Sequence, residues 1–138
     1  WWPSVRLQQY DYLYKGMTMT LSVQTMKVCP EFTVCGQINL NDVAAFAQQG
    51  YRSIINNRPD GEGGPGQPTS VQIEAAAKAA GLSYVHFPVV SLMITPQQVS
   101  QYHALCADLP HPIVAFCKSG GRANALFQAV GCQVGRAA

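Results

Sequence analysis

Residues 115–130 read AFCKSGGRANALFQAV: an apolar run, a cysteine, small residues, an arginine and a helix-forming stretch. A cysteine just past a buried strand and just before a helix lies where unpaired backbone N–H groups and the positive end of the helix dipole converge, which favours its thiolate. Lys118 and Arg122 act in the same direction. Ser119, Gly120 and Gly121 complete the loop, and the two glycines let successive N–H groups turn inward to form a nest for an anion. The planar fork of Arg122 can hold two oxygens of an oxyanion at once. The opposing reading makes Cys117 inert core filler and Arg122 a solvated first-turn residue. The combination of strand, Cys, paired Gly, Arg and helix outweighs it. Cys117 is therefore the candidate nucleophile and Arg122 its anion ligand, with Lys118 to Arg122 as the anion-binding loop.

Two anions fit such a loop. Four residues, Lys118 to Gly121, separate Cys117 from Arg122. Phosphatases of the cysteine type place five there, whereas Cys-Lys-Ser-Gly-Gly-Arg resembles the rhodanese pattern, whose tighter ring surrounds one sulfur atom carried as a persulfide. A second criterion is the general acid. Protonating a departing alcohol contributes about a hundredfold or more, and phosphatases supply the proton from an Asp after the third strand. The corresponding stretch, FPVVSLMITPQQ, has no acidic residue. In NRPDGEGG, Asp60 and Glu62 are the substitutes within reach; Asp60 is the candidate acid and Arg58 a candidate rim residue.

The elements that must position these groups are legible from periodicity and caps. FTVCGQI alternates as a short strand. Asn39 can cap a helix in which Leu40, Val43, Ala44 and Ala47 share a face, and YRSIINN is a second strand. Thr69 with Gln72, and Thr95 with Pro96 and Gln98, begin two further helices. Val99, Tyr102, Cys106 and Leu109 mark the buried stripe of the second. Between them LSYVHFPVV is a third strand, and HPIVAF is a fourth, apolar throughout as strands covered on both faces are. Strands alternating with helices require a parallel sheet with right-handed crossovers, and ligands bind beyond the carboxyl ends of its strands. The expectation is a mainly parallel four-stranded sheet with helices on both faces. That geometry gathers NRPDGE, SLMIT and CKSGGR at one edge. His86, midway along a strand, reads as a satisfied sheet residue.

At 138 residues the chain fits one domain. Residues 1–25 lack periodicity and read as a weakly ordered extension, with the domain over 26–138. A net charge of +2 with scattered Lys and Arg excludes a basic track for nucleic acid. No apolar stretch approaches the roughly 20 residues that span a bilayer. Five cysteines without a CxxC pair point to free thiols in a cytoplasmic protein, and Cys29 and Cys35 have no partners to complete a zinc site. No cofactor, metal, nucleic acid or membrane partner is expected.

From about Met26 to Val130 the chain resembles the phosphatase-like family of beta-lactamase hydrolase-like proteins. The resemblance rests on GQI, GYRSIINNRPDGE, QPTSVQIEAAAKAAGLSYVHFPVV, ITPQQV and PIVAFCKSGGRA, in that order. It implies a tyrosine/dual-specificity-phosphatase-like α/β fold and a Cys117 nucleophile. It also implies a fused or separate metallo-hydrolase or sulfide-oxidising partner, since some members are joined to such domains and some are described as sulfur transferases. Two positions depart from the family pattern: Gly121 stands for Thr and Ala123 for Ser. The chain also ends earlier than members generally do. The leading expectation is rhodanese-type sulfur transfer from a small sulfane sulfur donor through a persulfide on Cys117. The alternatives are phosphomonoester hydrolysis through a Cys117 phosphoenzyme, and a weakly active anion-binding regulatory domain.

Overall fold

A computed structural model describes residues 20–90 and 94–130. The expectations for residues 1–19, for Ser91 to Met93 and for the chain end after Val130 fall outside the described residues. Five strands, β1 (Thr25–Cys29), β2 (Phe32–Cys35), β3 (Ser53–Asn56), β4 (Ser83–His86) and β5 (Ile113–Phe116), form one sheet in the order β1-β2-β5-β3-β4. Four helices connect and cover it: α1 (Leu40–Gln48), α2 (Ser70–Ala79), α3 (Pro96–Asp108) and α4 (Gly121–Val130). β2, β5, β3 and β4 are mutually parallel, and β1 pairs antiparallel with β2. The fold is tyrosine-phosphatase-like, with one strand more than the four expected. That strand, TMKVC, lies at the sheet edge with its first three residues exposed, so no alternation of apolar residues announces it.

The helices begin where their side chains can satisfy the first free N–H groups. Asn39 with Asp42, Thr69 with Gln72, and Thr95 with Gln98 each form a reciprocal capping box, and Pro96 occupies the first turn of α3. Asp42 serves twice, because it also accepts from the Ser22 N–H at 2.7 Å and the Ser22 hydroxyl at 2.6 Å. That contact fastens the chain before β1 onto α1. Leu21 and Val23 pack on the same face.

Alternation in the strands builds two cores. On one face Ile54, Val114 and Phe116 pack with Val43, Phe46, Ile73 and Ala77 of α1 and α2. On the other, Phe32, Val34, Ile55, Ile113 and Ala115 pack with Tyr102 and Cys106 of α3 and Leu126 and Phe127 of α4. Phe32 stacks on Phe127 at 4.9 Å between centroids. Since β5 is covered on both faces and flanked by β2 and β3, the loop that leaves it emerges at the middle of the carboxyl edge, between the loops after β2 and β3. No helix among the described residues is long and apolar enough to cross a membrane.

Candidate active site

The chain leaves β5 at Cys117, which is 1% exposed, and enters α4 at Gly121. Two contacts lock this loop to the end of β2: the Cys117 N–H donates to the Cys35 carbonyl at 3.4 Å and the Gln37 N–H to the Lys118 carbonyl at 3.2 Å. The approach is close enough that a Cβ on Gly36 would stand 3.0 Å from the Lys118 oxygen. Gly120 turns with φ +94° against the Cys35 backbone, a conformation that L side chains resist. The turn brings its N–H to the Cys117 Sγ at 3.1 Å. One N–H of the loop thus lies on the sulfur. Lys118 and Ser119 are exposed, and the Ser119 hydroxyl accepts from the Gly121 N–H at 3.5 Å.

Arg122, in the first turn of α4, reaches across to the loops after β3 and β4. Its Nη1 donates to Glu62 Oε2 at 2.7 Å and to the Val89 carbonyl at 2.8 Å, and its Nη2 donates to Glu62 Oε1 at 2.6 Å. The carboxylate therefore takes the end of the fork. Two N–H groups remain on the Nε–Nη2 edge, the side-on pair that suits a second oxyanion. Hydrogen bonding to Glu62 raises the Arg122 pKa, and Cys117 contributes in the same direction.

Glu62 is shared. Arg58, 6% exposed, donates from Nε to Glu62 Oε1 at 2.9 Å and from Nη1 to Gln37 Oε1 at 3.0 Å. The Arg58 backbone is held as well, its N–H by Asn56 Oδ1 at 2.9 Å and its carbonyl by the His86 ring, whose Nε2–H donates at 2.9 Å. Between the two guanidinium groups, the bond to Arg122 first, the Glu62 carboxyl falls from its ordinary 4.5 to about 2. Arg58 is thus a buried brace beneath the edge, where the sequence suggested a rim residue. Asp60 lies apart from this cluster: its Oδ1 accepts from the Ser70 N–H at 2.8 Å and caps α2. The local pair in NRPDGE is Arg58 with Glu62, four residues on.

On the other side of the loop, an open cleft of about 400 Å³ runs between β1 and the start of α4, lined among others by Met26, Cys35, Gly36, Ser119, Gly121 and Asn124. Its lining carries no charged side chain. No three of His, Cys, Asp or Glu converge on a metal position among the described residues. Sequence reasoning could not see the Glu62–Arg122 bridge, which joins residues 60 apart, or the part played by the Val89 carbonyl.

Residues 24–134 match the family described as beta-lactamase hydrolase-like protein, phosphatase-like domain. The chain belongs to that family. Beta-lactamase hydrolase-like proteins of Agrobacterium fabrum and Xylella fastidiosa are similar to this phosphatase-like domain at 37% identity over 105 residues and 42% over 94. Those matches cover 76% and 68% of the chain but 24% and 22% of the relatives, so the domain spans about a quarter of their length. Among solved structures, a "putative phosphatase" from Neisseria meningitidis superimposes with a TM-score of 0.68 at 30% identity, covering 73% of this chain and 71% of that one. One from Shewanella putrefaciens, under the same description, superimposes with a TM-score of 0.62 at 20% identity, covering 77% and 64%. The latter likeness concerns the fold alone.

Proposed function

We propose that this phosphatase-like domain transfers sulfane sulfur through Cys117. The observation that carries the reading is the state of the two candidate carboxyl groups, Glu62 and Asp60. Glu62 is held ionised between Arg122 and Arg58, and Asp60 is engaged with the start of α2. Neither is placed to protonate a departing alkoxide, which phosphomonoester hydrolysis needs and sulfur transfer to a thiolate does not. The short gap between Cys117 and Arg122 supports the same choice.

In the proposed cycle the Cys117 thiolate attacks the outer sulfur of a donor such as thiosulfate. The S–S bond of the donor breaks and sulfite leaves with the electron pair. The terminal sulfur of the Cys117 persulfide carries the negative charge toward the Gly120 N–H and the free edge of Arg122. An acceptor thiolate then attacks that sulfur, Cys117 leaves as thiolate, and a new persulfide departs. No net oxidation occurs. The expected partners are small thiols and sulfane donors, and the domain would work beside a metallo-hydrolase or sulfide-oxidising unit. The additional length of the curated relatives supports that arrangement.

The family description and the Neisseria structure support a second reading, phosphomonoester hydrolysis through a Cys117 phosphoenzyme. Mass measurement after incubation with thiosulfate or glutathione persulfide separates the two. A gain of about 32 Da on Cys117 is expected for the persulfide. Its absence, together with para-nitrophenyl phosphate turnover that disappears in Cys117→Ser, establishes the phosphatase instead. Absence of both activities leaves an anion-binding domain.

A further inference from the structure

Among the described residues, two buried polar atoms have no hydrogen-bond partner: the Tyr102 hydroxyl and Asn57 Oδ1. Both residues are 0% exposed. The hydroxyl stands beside the Asn57 acceptor and the Cys106 sulfur, and leaving either polar group without a firm partner costs about 1–3 kcal/mol. Asn57 follows the end of β3, its N–H donating to the Phe116 carbonyl at 2.8 Å, which sets it beside Cys117 on the neighbouring strand. Its Nδ2 is used by the Phe87 carbonyl at 2.9 Å, leaving Oδ1 over. Tyr102 projects from α3 into the cluster that holds Cys117 and Ala123, its ring packed edge-on against Phe87 at 5.1 Å and Phe32 at 6.4 Å.

The loop itself gives the sulfur little support. The Ser119 hydroxyl turns to Gly121, and residue 123, the other inward position of the loop, is an alanine. A thiolate at Cys117 thus has the Gly120 N–H and the field of Arg122 on its solvent side. The Tyr102 hydroxyl belongs to the same buried cluster.

We propose that Tyr102 is a positioning residue for the nucleophile, its buried hydroxyl directing its dipole to the Cys117 thiolate when the thiol ionises and to Asn57 Oδ1 when it does not. The proton stays on Tyr102 throughout. Burial holds the tyrosine pKa well above its ordinary value, and the Cys106 and Cys117 sulfurs raise it further, so the hydroxyl remains a donor at any working pH. The ionisable groups facing Cys117 among the described residues are Arg122 from α4, Cys35 from β2 and Tyr102 from α3; those facing Tyr102 are Cys106 and Cys117.

The proposal rests on Cys117 being the nucleophile, and the test reads that sulfur directly, without a substrate. The rate of iodoacetamide alkylation of Cys117 is followed from pH 5 to pH 9 by mass spectrometry in the wild type, Tyr102→Phe and Cys106→Ala. Phenylalanine keeps the ring contacts and removes one oxygen. Tyr102→Phe should move the pH profile of Cys117 alkylation upward and slow it at pH 6 by about tenfold, as for losing one hydrogen bond to a charged group. Cys106→Ala should leave the profile in place. An unmoved profile in Tyr102→Phe beside a reactive wild type overturns the role of Tyr102, and so does an equal shift in Cys106→Ala. A wild-type Cys117 no more reactive than Cys106 overturns the reading of the whole site. A purely structural hydroxyl would alter Tm and leave the profile alone.

Discussion

Cys106 and Cys117 lie in one apolar cluster, 0% and 1% exposed, and differ in what the backbone does around them. Cys106 is inside α3, where each N–H is spent on the carbonyl one turn back, and burial pushes its thiol up to about 12. Cys35, at the end of β2, is driven to about 12 mainly by burial, with the charges of Asp42 and Cys117 adding to it. Cys117 stands where a strand has ended and a helix has not yet begun. Just ahead of α4, the Gly120 N–H is aimed at the sulfur. Burial raises the Cys35 and Cys106 thiols; at Cys117 a buried sulfur also meets the Gly120 N–H, with the Arg122 guanidinium nearby.

The most severe way to break that contrast is to exchange the sulfurs. Cys117→Ser should abolish turnover of whichever substrate the domain accepts, a loss on the order of a thousandfold or more. Cys106→Ser should leave turnover within about twofold, because Cys106 lies inside α3 and burial keeps its thiol protonated. Comparable losses in both would remove the distinction. Alkylation at pH 7 sharpens it without a substrate: Cys117 should react at least about a hundredfold faster than Cys106, and equal rates would count against the loop as the cause.

A smaller effect is expected from Arg122, the proposed anion ligand. Arg122→Lys keeps the charge but loses the fork that holds Glu62 while presenting a second edge. Retention of oxyanion in a binding titration should fall by about tenfold to a hundredfold, as for losing one charged hydrogen bond or more. Unchanged binding would mean that the nest alone holds the ligand. Gly120→Ala probes the nest itself. At φ +94° a side chain costs at least about 1 kcal/mol, and the same change should pull the N–H away from the sulfur, lowering stability and alkylation rate together. A normal alkylation rate in a destabilised variant would separate loop strain from reactivity.

The parts of this site that could be read from the sequence are those fixed by near neighbours. Thr69 and Gln72, or Thr95 and Gln98, announce their helices because a capping box closes within one turn. The Cys117 loop is legible for the same reason: its glycines, its arginine and its sulfur are adjacent in the chain. β1 was hidden because an exposed edge strand needs no apolar alternation. The choice between Asp60 and Glu62 was hidden more deeply, since both follow Arg58 closely and only the arrival of Arg122 from 60 residues away selects Glu62. Tyr102 was placed correctly on a buried stripe, but spacing along a helix says nothing of an Asn57 amide waiting at the end of another strand.

Charge holds the β3 side of the loop, while backbone contacts to Cys35 and Gln37 hold the β2 side, and Glu62→Gln tests that division. The Glu62 carboxyl sits at about 2 when folded, against an ordinary 4.5, because Arg122 and then Arg58 favour its ionised form. A lowered folded pKa means that the stabilisation is complete above about 4.5 and is lost as the pH falls toward 2. The amide introduced by Glu62→Gln cannot ionise, so denaturant-derived stability should change less between pH 5 and pH 2 in the variant than in the wild type. At pH 7 the difference should be about 1 kcal/mol or less, since the Glu62 side chain is 27% exposed and water screens the pair. Parallel stability curves would show that the ion pairs do not brace the loop. Turnover gives the second half of the test. A residue that only braces Arg122 leaves a reduced but measurable rate after Glu62→Gln, whereas loss as complete as in Cys117→Ser would make Glu62 itself the proton donor and return the site to phosphate chemistry.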